Sequence, residues 1–114
     1  MMSRPVATYR LQLTEDQPFA AAEALLPYLD DLGISHVYCS PVLKARPGTR
    51  HFYNVADHTL VDPVLGGEAG LRQLAAAAHD RGMGLIGDIV PHHMGVGPWS
   101  PLWERLLTEG RSSV

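Results

Sequence analysis

The sequence predicts an α/β fold with parallel strands, on three observations. Short β-branched or alternating runs take turns with two stretches of helical periodicity, and each helical stretch stops at a glycine. The resulting order, β-α-β-α-β, needs crossover connections, and crossovers make the strands parallel.

The first strand is read at 5–13, "PVATYRLQL", which alternates and carries Val6, Thr8, Tyr9 and Leu11. "TEDQP" turns the chain, and Pro18 suits a first helical position. From Phe19 to Leu32 the apolar residues Phe19, Ala22, Leu26 and Leu29 recur at helical spacing, with Leu25 and Leu32 widening that face and Glu23, Asp30 and Asp31 on the wet side. Pro27 disturbs the middle, and Gly33 ends the helix. "ISHVYCS" (34–40) is a second strand. The stretch after it, a long loop at about 41–67, holds Pro41, Pro47, Gly48, Pro63, Gly66 and Gly67, too many breakers for an element. A loop of that length in a compact domain is usually functional or disordered. A second helix follows from about Glu68 to Arg81, with Leu71, Leu74, Ala75 and Ala78 inward and Gly82 as its stop. The third strand is placed at 84–90, and "LWERLLTEG" begins another helix after the loop "PHHMGVGPWSP".

The 114 residues fit one domain, and 46% hydrophobic with 18% charged residues is a globular rather than a disordered balance. The net charge of -3 comes from scattered groups, so neither a nucleic-acid nor a membrane partner is expected. No stretch has the length of a signal peptide or a membrane span, and the lone Cys39 reads as a small core hydrophobe in a reducing compartment. A cytoplasmic protein is the expectation. Two architectures share this start: a small doubly wound sheet, or a βα barrel, which needs about 250 residues. Periodicity does not separate them.

One stretch poses a chemical question. "IGDIVPHHMG" (86–95) puts Asp88 at the end of an apolar strand, and a buried carboxylate is costly unless it is paired or hydrogen-bonded. By itself Asp88 reads first as a structural carboxylate, capping loop amides or paired with an arginine. His51, His58, His92, His93 and Asp88 together raise the alternative of a metal cluster, but no paired spacing such as HExxH supports it. "GMGLIG" (82–87) lies before and in a strand, so it is no phosphate-binding fingerprint, and no cofactor is expected. His36 and His79 carry no readable signal. Trp99 and Trp103, four residues apart, suit either sugar stacking or helix packing.

The segments "SPVLKARPGTRHFYNVADHTLVDPVLGG" (40–67) and "GDIVPHHMGV" (87–96) resemble the first half of the α-amylase superfamily of glycoside hydrolases. "PVATYRLQL", "YLDDLGISHVYCSPVLKARPGTRH" and "PWSPLWERLLTEGRSS" are most similar to its maltooligosyltrehalose synthase branch. The resemblance implies the first three βα units of a truncated (β/α)8 TIM-type barrel, residues 1–114 being the N-terminal part of the catalytic domain. It implies that Asp88, His93, Tyr53, His51 and Asp57 bind substrate, with Tyr53 as a stacking platform beneath a sugar and His93 as a hydroxyl contact. A neutral histidine does this by donating to a hydroxyl while its other nitrogen is fixed by a carboxylate.

Three residues depart from the family pattern. Phe52 replaces a glycine, which bears on the tilt of Tyr53; Asn54 replaces an aspartate; and His92 replaces an asparagine that helps bind calcium in many relatives. Imidazole is a poor ligand for that hard cation, so no metal is expected.

The substrate implied is a maltooligosaccharide. A full-length relative would convert its reducing end to an α,α-1,1-linked trehalosyl end by retaining intramolecular transglucosylation. That chemistry needs two carboxyl groups about 5 Å apart, and the resemblance places the catalytic residues beyond Val114. This chain alone is therefore expected to be inactive, and an open barrel edge is expected to favour association. The other readings are a different hydrolase or transglucosidase of the superfamily, or a non-catalytic α/β module binding oligosaccharide or a partner through the 41–67 loop.

Overall fold

The computed structural model describes residues 4–113; residues 1–3 and 114 lie outside the described residues. Along the chain run β1 (Thr8–Leu11), α1 (Phe19–Asp31), β2 (His36–Cys39), β3 (Leu43–Ala45), β4 (Val55–Val61), a 3-10 turn (Pro63–Leu65), α2 (Gly67–Asp80), β5 (Gly84–Gly87) and α3 (Pro101–Glu109), with a last 3-10 turn at Gly110–Ser113.

β1, β2 and β5 form one parallel sheet in the order β1-β2-β5. Its register aligns Tyr9 with Val37 and Leu85, and Leu11 with Cys39 and Gly87. Side chains alternate across a strand. Leu11, Val37, Cys39 and Leu85 therefore share the face that packs with Phe19, Ala22, Leu26 and Leu29 of α1 and Leu74 and Ala78 of α2. Thr8, Arg10, His36, Tyr38 and Ile86 take the opposite face. Gly84 belongs to that second face for a steric reason: a Cβ there would lie 2.6 Å from the His36 ring, which occupies the space.

α1 follows its reading closely. Pro18 is its N-cap, and its carbonyl accepts from Ala21 and Ala22. Gly33 closes the helix at φ +90, with the Gly33 and Ile34 amides donating to Asp30 and Leu29; a left-handed residue there is the usual glycine cap. Leu25 and Leu32, expected to widen the buried face, are instead exposed at 37% and 54%. The four-residue strands of the sheet are covered by Phe19, Ala22, Leu26 and Leu29 together with Leu74 and Ala78 of α2, so that face is filled without Leu25 and Leu32.

The stretch 41–67 corrects the sequence reading. It is not irregular throughout: β3 and β4 pair antiparallel within it, Leu43 with Val61, Lys44 with Asp57 and Ala45 with Val55. The breakers lie outside the paired residues, Pro47 and Gly48 in the connecting turn and Pro63 after β4. The strand at 84–90 is likewise shorter than read, ending at Gly87, so Asp88 lies just beyond it and is half-buried rather than enclosed.

Cys39 is buried, and desolvation pushes its thiol up to about 11 from an ordinary 9.0. A thiol raised in the fold stabilises it fully below pH 9.0 and ceases to do so as the pH rises through about 11. The expected result with a soluble disulfide reagent at pH 8 is a thiol that labels only after unfolding. Rapid labelling of the folded chain would contradict the burial.

Apolar surface remains uncovered. α3 buries no residue, and Leu102, Leu106 and Leu107 on it are exposed together with Ile89 and Val96. β1 and β5 each pair on one side only among the described residues. No described helix is long and apolar enough to cross a membrane.

Candidate functional site

Polar side chains gather beyond the carboxyl ends of the parallel strands. Asp88 is placed there by the sheet itself, since its amide donates to the Cys39 carbonyl at 3.2 Å and extends the β2–β5 pairing by one step. Two hydroxyls converge on a single carboxylate oxygen: Tyr38, from β2, donates to Asp88 Oδ2 at 3.2 Å, and Tyr53 donates to the same atom. The Asp88 carboxylate is thus held by two phenols. Oδ1 accepts from no described residue. Tyr53's phenol is raised above the ordinary tyrosine value, chiefly by its bond to Asp88, with Arg10 pulling the other way.

Tyr53 is set by the turn that precedes it. The Arg46 amide donates to the Asn54 carbonyl at 3.0 Å and closes the 46–54 loop. Phe52, at φ +64, is the one described non-glycine residue in the left-handed region, and its ring is buried at 2% exposure in the main core. Such a conformation persists for a bulky residue only when its surroundings over-determine it. With Phe52 turned inward, His51 and Tyr53 flank it on the outside. The Tyr53 amide donates to His51 Nδ1 at 3.0 Å, which leaves the His51 proton on Nε2, and the two rings stack with centroids 6.0 Å apart. Asn54 Oδ1 is buried without a hydrogen-bond partner. An ionised aspartate in the same place would leave a buried charge without a donor, so the neutral amide is the less costly group.

His93 reaches the cluster from the loop after β5. That loop is pinned by His58 Nε2 donating to the Val90 carbonyl at 3.3 Å and by the Gly95 amide donating to Val55 at 2.8 Å. Trp99 closes it: a Cβ at Gly95 or Gly97 would come within 2.6 Å of the indole. Trp99 lies ahead of α3 and packs against its own loop, which differs from the helix packing suggested for it. His93 Nε2 donates to the Tyr53 carbonyl at 3.0 Å. This corrects the carboxylate partner expected above. A carbonyl only accepts, so the proton stays on Nε2, and a neutral His93 offers Nδ1 as an acceptor rather than a donor. His92 packs edge-on against His93, ring centroids 4.3 Å apart.

Asp57 does not join this group. It lies in β4, where Oδ1 accepts from the Thr59 hydroxyl at 2.6 Å and the Thr59 amide at 2.9 Å, and these two donors hold its carboxyl below the usual range. Three residues of the cluster escaped the sequence reading: Arg10, Gln12 and Tyr38. Strand periodicity carries the signal, because Leu11 and Leu13 face the core and their neighbours Arg10 and Gln12 must face the other way. Among the described residues, no group of three or more His, Cys, Asp or Glu side chains is placed to hold a metal ion.

Parallel strands joined by helices, with polar side chains assembled beyond the strands' carboxyl ends, are the arrangement of βα-barrel enzymes. The chain belongs to the alpha-amylase family: the model of the alpha-amylase catalytic domain matches residues 23–99. It is 52% identical over 96% of its length to a putative maltooligosyl trehalose synthase of Mycobacterium tuberculosis, of which it covers 15%. Its fold is similar to the crystal structure of a maltooligosyl trehalose synthase (TM-score 0.94, 44% identity, 96% of this chain and 15% of that one). It is also similar to the Arthrobacter ramosus maltooligosyltrehalose synthase (TM-score 0.91, 42% identity, 94% and 14%). The chain thus spans about 15% of the length of these relatives.

Proposed function

We propose that these residues form the part of a retaining transglucosidase site that grips one glucosyl ring of a maltooligosaccharide. One observation carries the reading: Asp88 Oδ1 and His93 Nδ1, two acceptors left open by their own fixed partners, belong to the cluster organised around Tyr53. A pyranose ring matches such a set, with hydroxyls for the acceptors and a CH face for the aromatic ring. His51 Nε2 adds a donor to the same edge. Asp57, tied to Thr59, is proposed only as an outer contact.

Asp88 is the one carboxylate among the described residues of this cluster. Retaining transfer needs two, a nucleophile and an acid/base about 5 Å apart. We assign Asp88 to holding the ring and the bond-breaking carboxyl groups to other parts of a complete barrel. The reaction proposed there is conversion of the reducing end of a maltooligosaccharide to an α,α-1,1-linked trehalosyl end.

Titration of the 114-residue chain with maltopentaose, followed by calorimetry or amide shifts, tests the reading. The expected result is weak binding without turnover, and a loss of about tenfold in affinity for Asp88→Ala, the worth of one charge-assisted hydrogen bond. Unchanged affinity in Asp88→Ala would remove Asp88 from the sugar, and a non-reducing product made by the chain alone would overturn its assignment as a holding group only.

A further inference from the structure

Arg10, on the open face of β1, and Gln12, just past the strand's end, make contacts that the sugar-gripping role does not itself require. The Arg10 fork splits: Nη1 donates to Gln12 Oε1 at 3.0 Å and Nη2 donates to the Tyr53 hydroxyl at 3.0 Å. Its guanidinium also lies over the Tyr38 ring, 5.7 Å from the centroid. Gln12, oriented by Arg10, turns its amide to the backbone of the Tyr53 turn, with Nε2 donating to Arg50 O at 3.2 Å and His51 O at 3.5 Å. No carboxylate is ion-paired with Arg10 among the described residues.

These contacts have a directional consequence. A phenol has one proton and two acceptor sites. Arg10 can only donate, so it takes an acceptor site of Tyr53 and leaves the proton for Asp88, whose carboxylate can only accept. The same turn contains the left-handed Phe52, which is fixed from the core side by its buried ring. Gln12 fixes it from the other side.

We propose that Arg10 and Gln12 are positioning residues, a brace from β1 that locks the Arg50–Tyr53 turn and commits the Tyr53 hydroxyl proton to Asp88, so that ring and carboxylate meet the sugar in one arrangement. The brace rests on the sugar-site reading for its purpose, but not for its existence.

Tyrosine labelled at the ring carbon bearing the hydroxyl, with Tyr53 assigned through Tyr53→Phe, reads the brace directly. In Arg10→Ala the Tyr53 phenol loses a cationic donor that favours phenolate, so its titration midpoint moves to higher pH. In Asp88→Asn it moves to lower pH. Arg10→Lys keeps a charge but not the fork, and is expected to restore the Tyr53 midpoint while leaving the Arg50 and His51 amide signals displaced, as Gln12→Ala leaves them. Affinity for maltopentaose falls roughly fivefold in Arg10→Ala, the share of one hydrogen bond. A Tyr53 midpoint that does not move in Arg10→Ala overturns the brace, whatever the affinity does. If the unsubstituted chain does not bind maltopentaose, the sugar reading fails by itself and the titration still decides the brace.

Discussion

Phe52→Ala is expected to destabilise the chain by about 3–5 kcal/mol, the usual cost of removing a buried phenyl ring. The ring is 2% exposed within the main core, so its loss leaves a cavity beneath the loop that carries His51 and Tyr53. Alanine gains nothing in return, because its Cβ suffers the same left-handed backbone at φ +64. Phe52→Gly separates the two effects. Glycine removes even more side chain but accepts positive φ without strain, recovering about 1 kcal/mol relative to alanine. Urea denaturation of the three chains measures the order: phenylalanine most stable, glycine next, alanine last. Alanine more stable than glycine would mean that the turn does not hold its left-handed residue in solution.

Asp62→Ala is the second large effect, expected at roughly 2–4 kcal/mol for two charge-assisted bonds to buried or half-buried amides. Oδ1 accepts from Val64 at 2.9 Å and caps the 3-10 turn, while Oδ2 accepts from Ala45 at 3.1 Å in the neighbouring strand β3. The Asp62 backbone does similar work, its amide donating to Val42 and its carbonyl accepting from Leu65 and Gly67. One residue therefore joins the β3–β4 hairpin to the start of α2. Asp62→Asn keeps one acceptor and turns an NH2 toward the other amide, so it should lose about half as much. The midpoint of a denaturation curve checks both, and an alanine variant within 0.5 kcal/mol of the parent, roughly the spread of surface substitutions, would discount the joint.

The parts of this molecule differ in how plainly the sequence announces them. α1 and α2 are each carried by one periodic pattern and stopped by Gly33 and Gly82, and the three parallel strands show as short apolar or alternating runs. The hairpin has no such pattern. β3 is three residues long, its register with β4 shifts at each step, and the outer half of β4 from His58 to Leu60 is exposed on successive residues, so no alternation marks it. In the site, the motif led to Asp88, His93, Tyr53 and His51, and these do come together. It led equally to Asp57, which the pairing with Lys44 keeps in the hairpin beside Thr59. Tyr38, Arg10 and Gln12 stand in stretches that read as plain strand, and only the direction of each side chain distinguishes support for the site from support for the core. Direction also governs His93: the carbonyl it meets belongs to the backbone of Tyr53, which no side-chain pattern encodes.

The hydroxyls on Asp88 come from residues 50 and 35 positions away along the chain. Closing such long loops is entropically costly, and parallel sheets with distant pairings fold slowly for that reason. Asp88 cannot find Tyr38 until β5 has docked beside β2, nor Tyr53 until the hairpin has settled over the strand ends. The carboxylate therefore gains both partners only after those two dockings. Its environment needs both dockings, and the arrangement of Tyr38, Tyr53 and Asp88 exists only in chains in which sheet and hairpin have both formed.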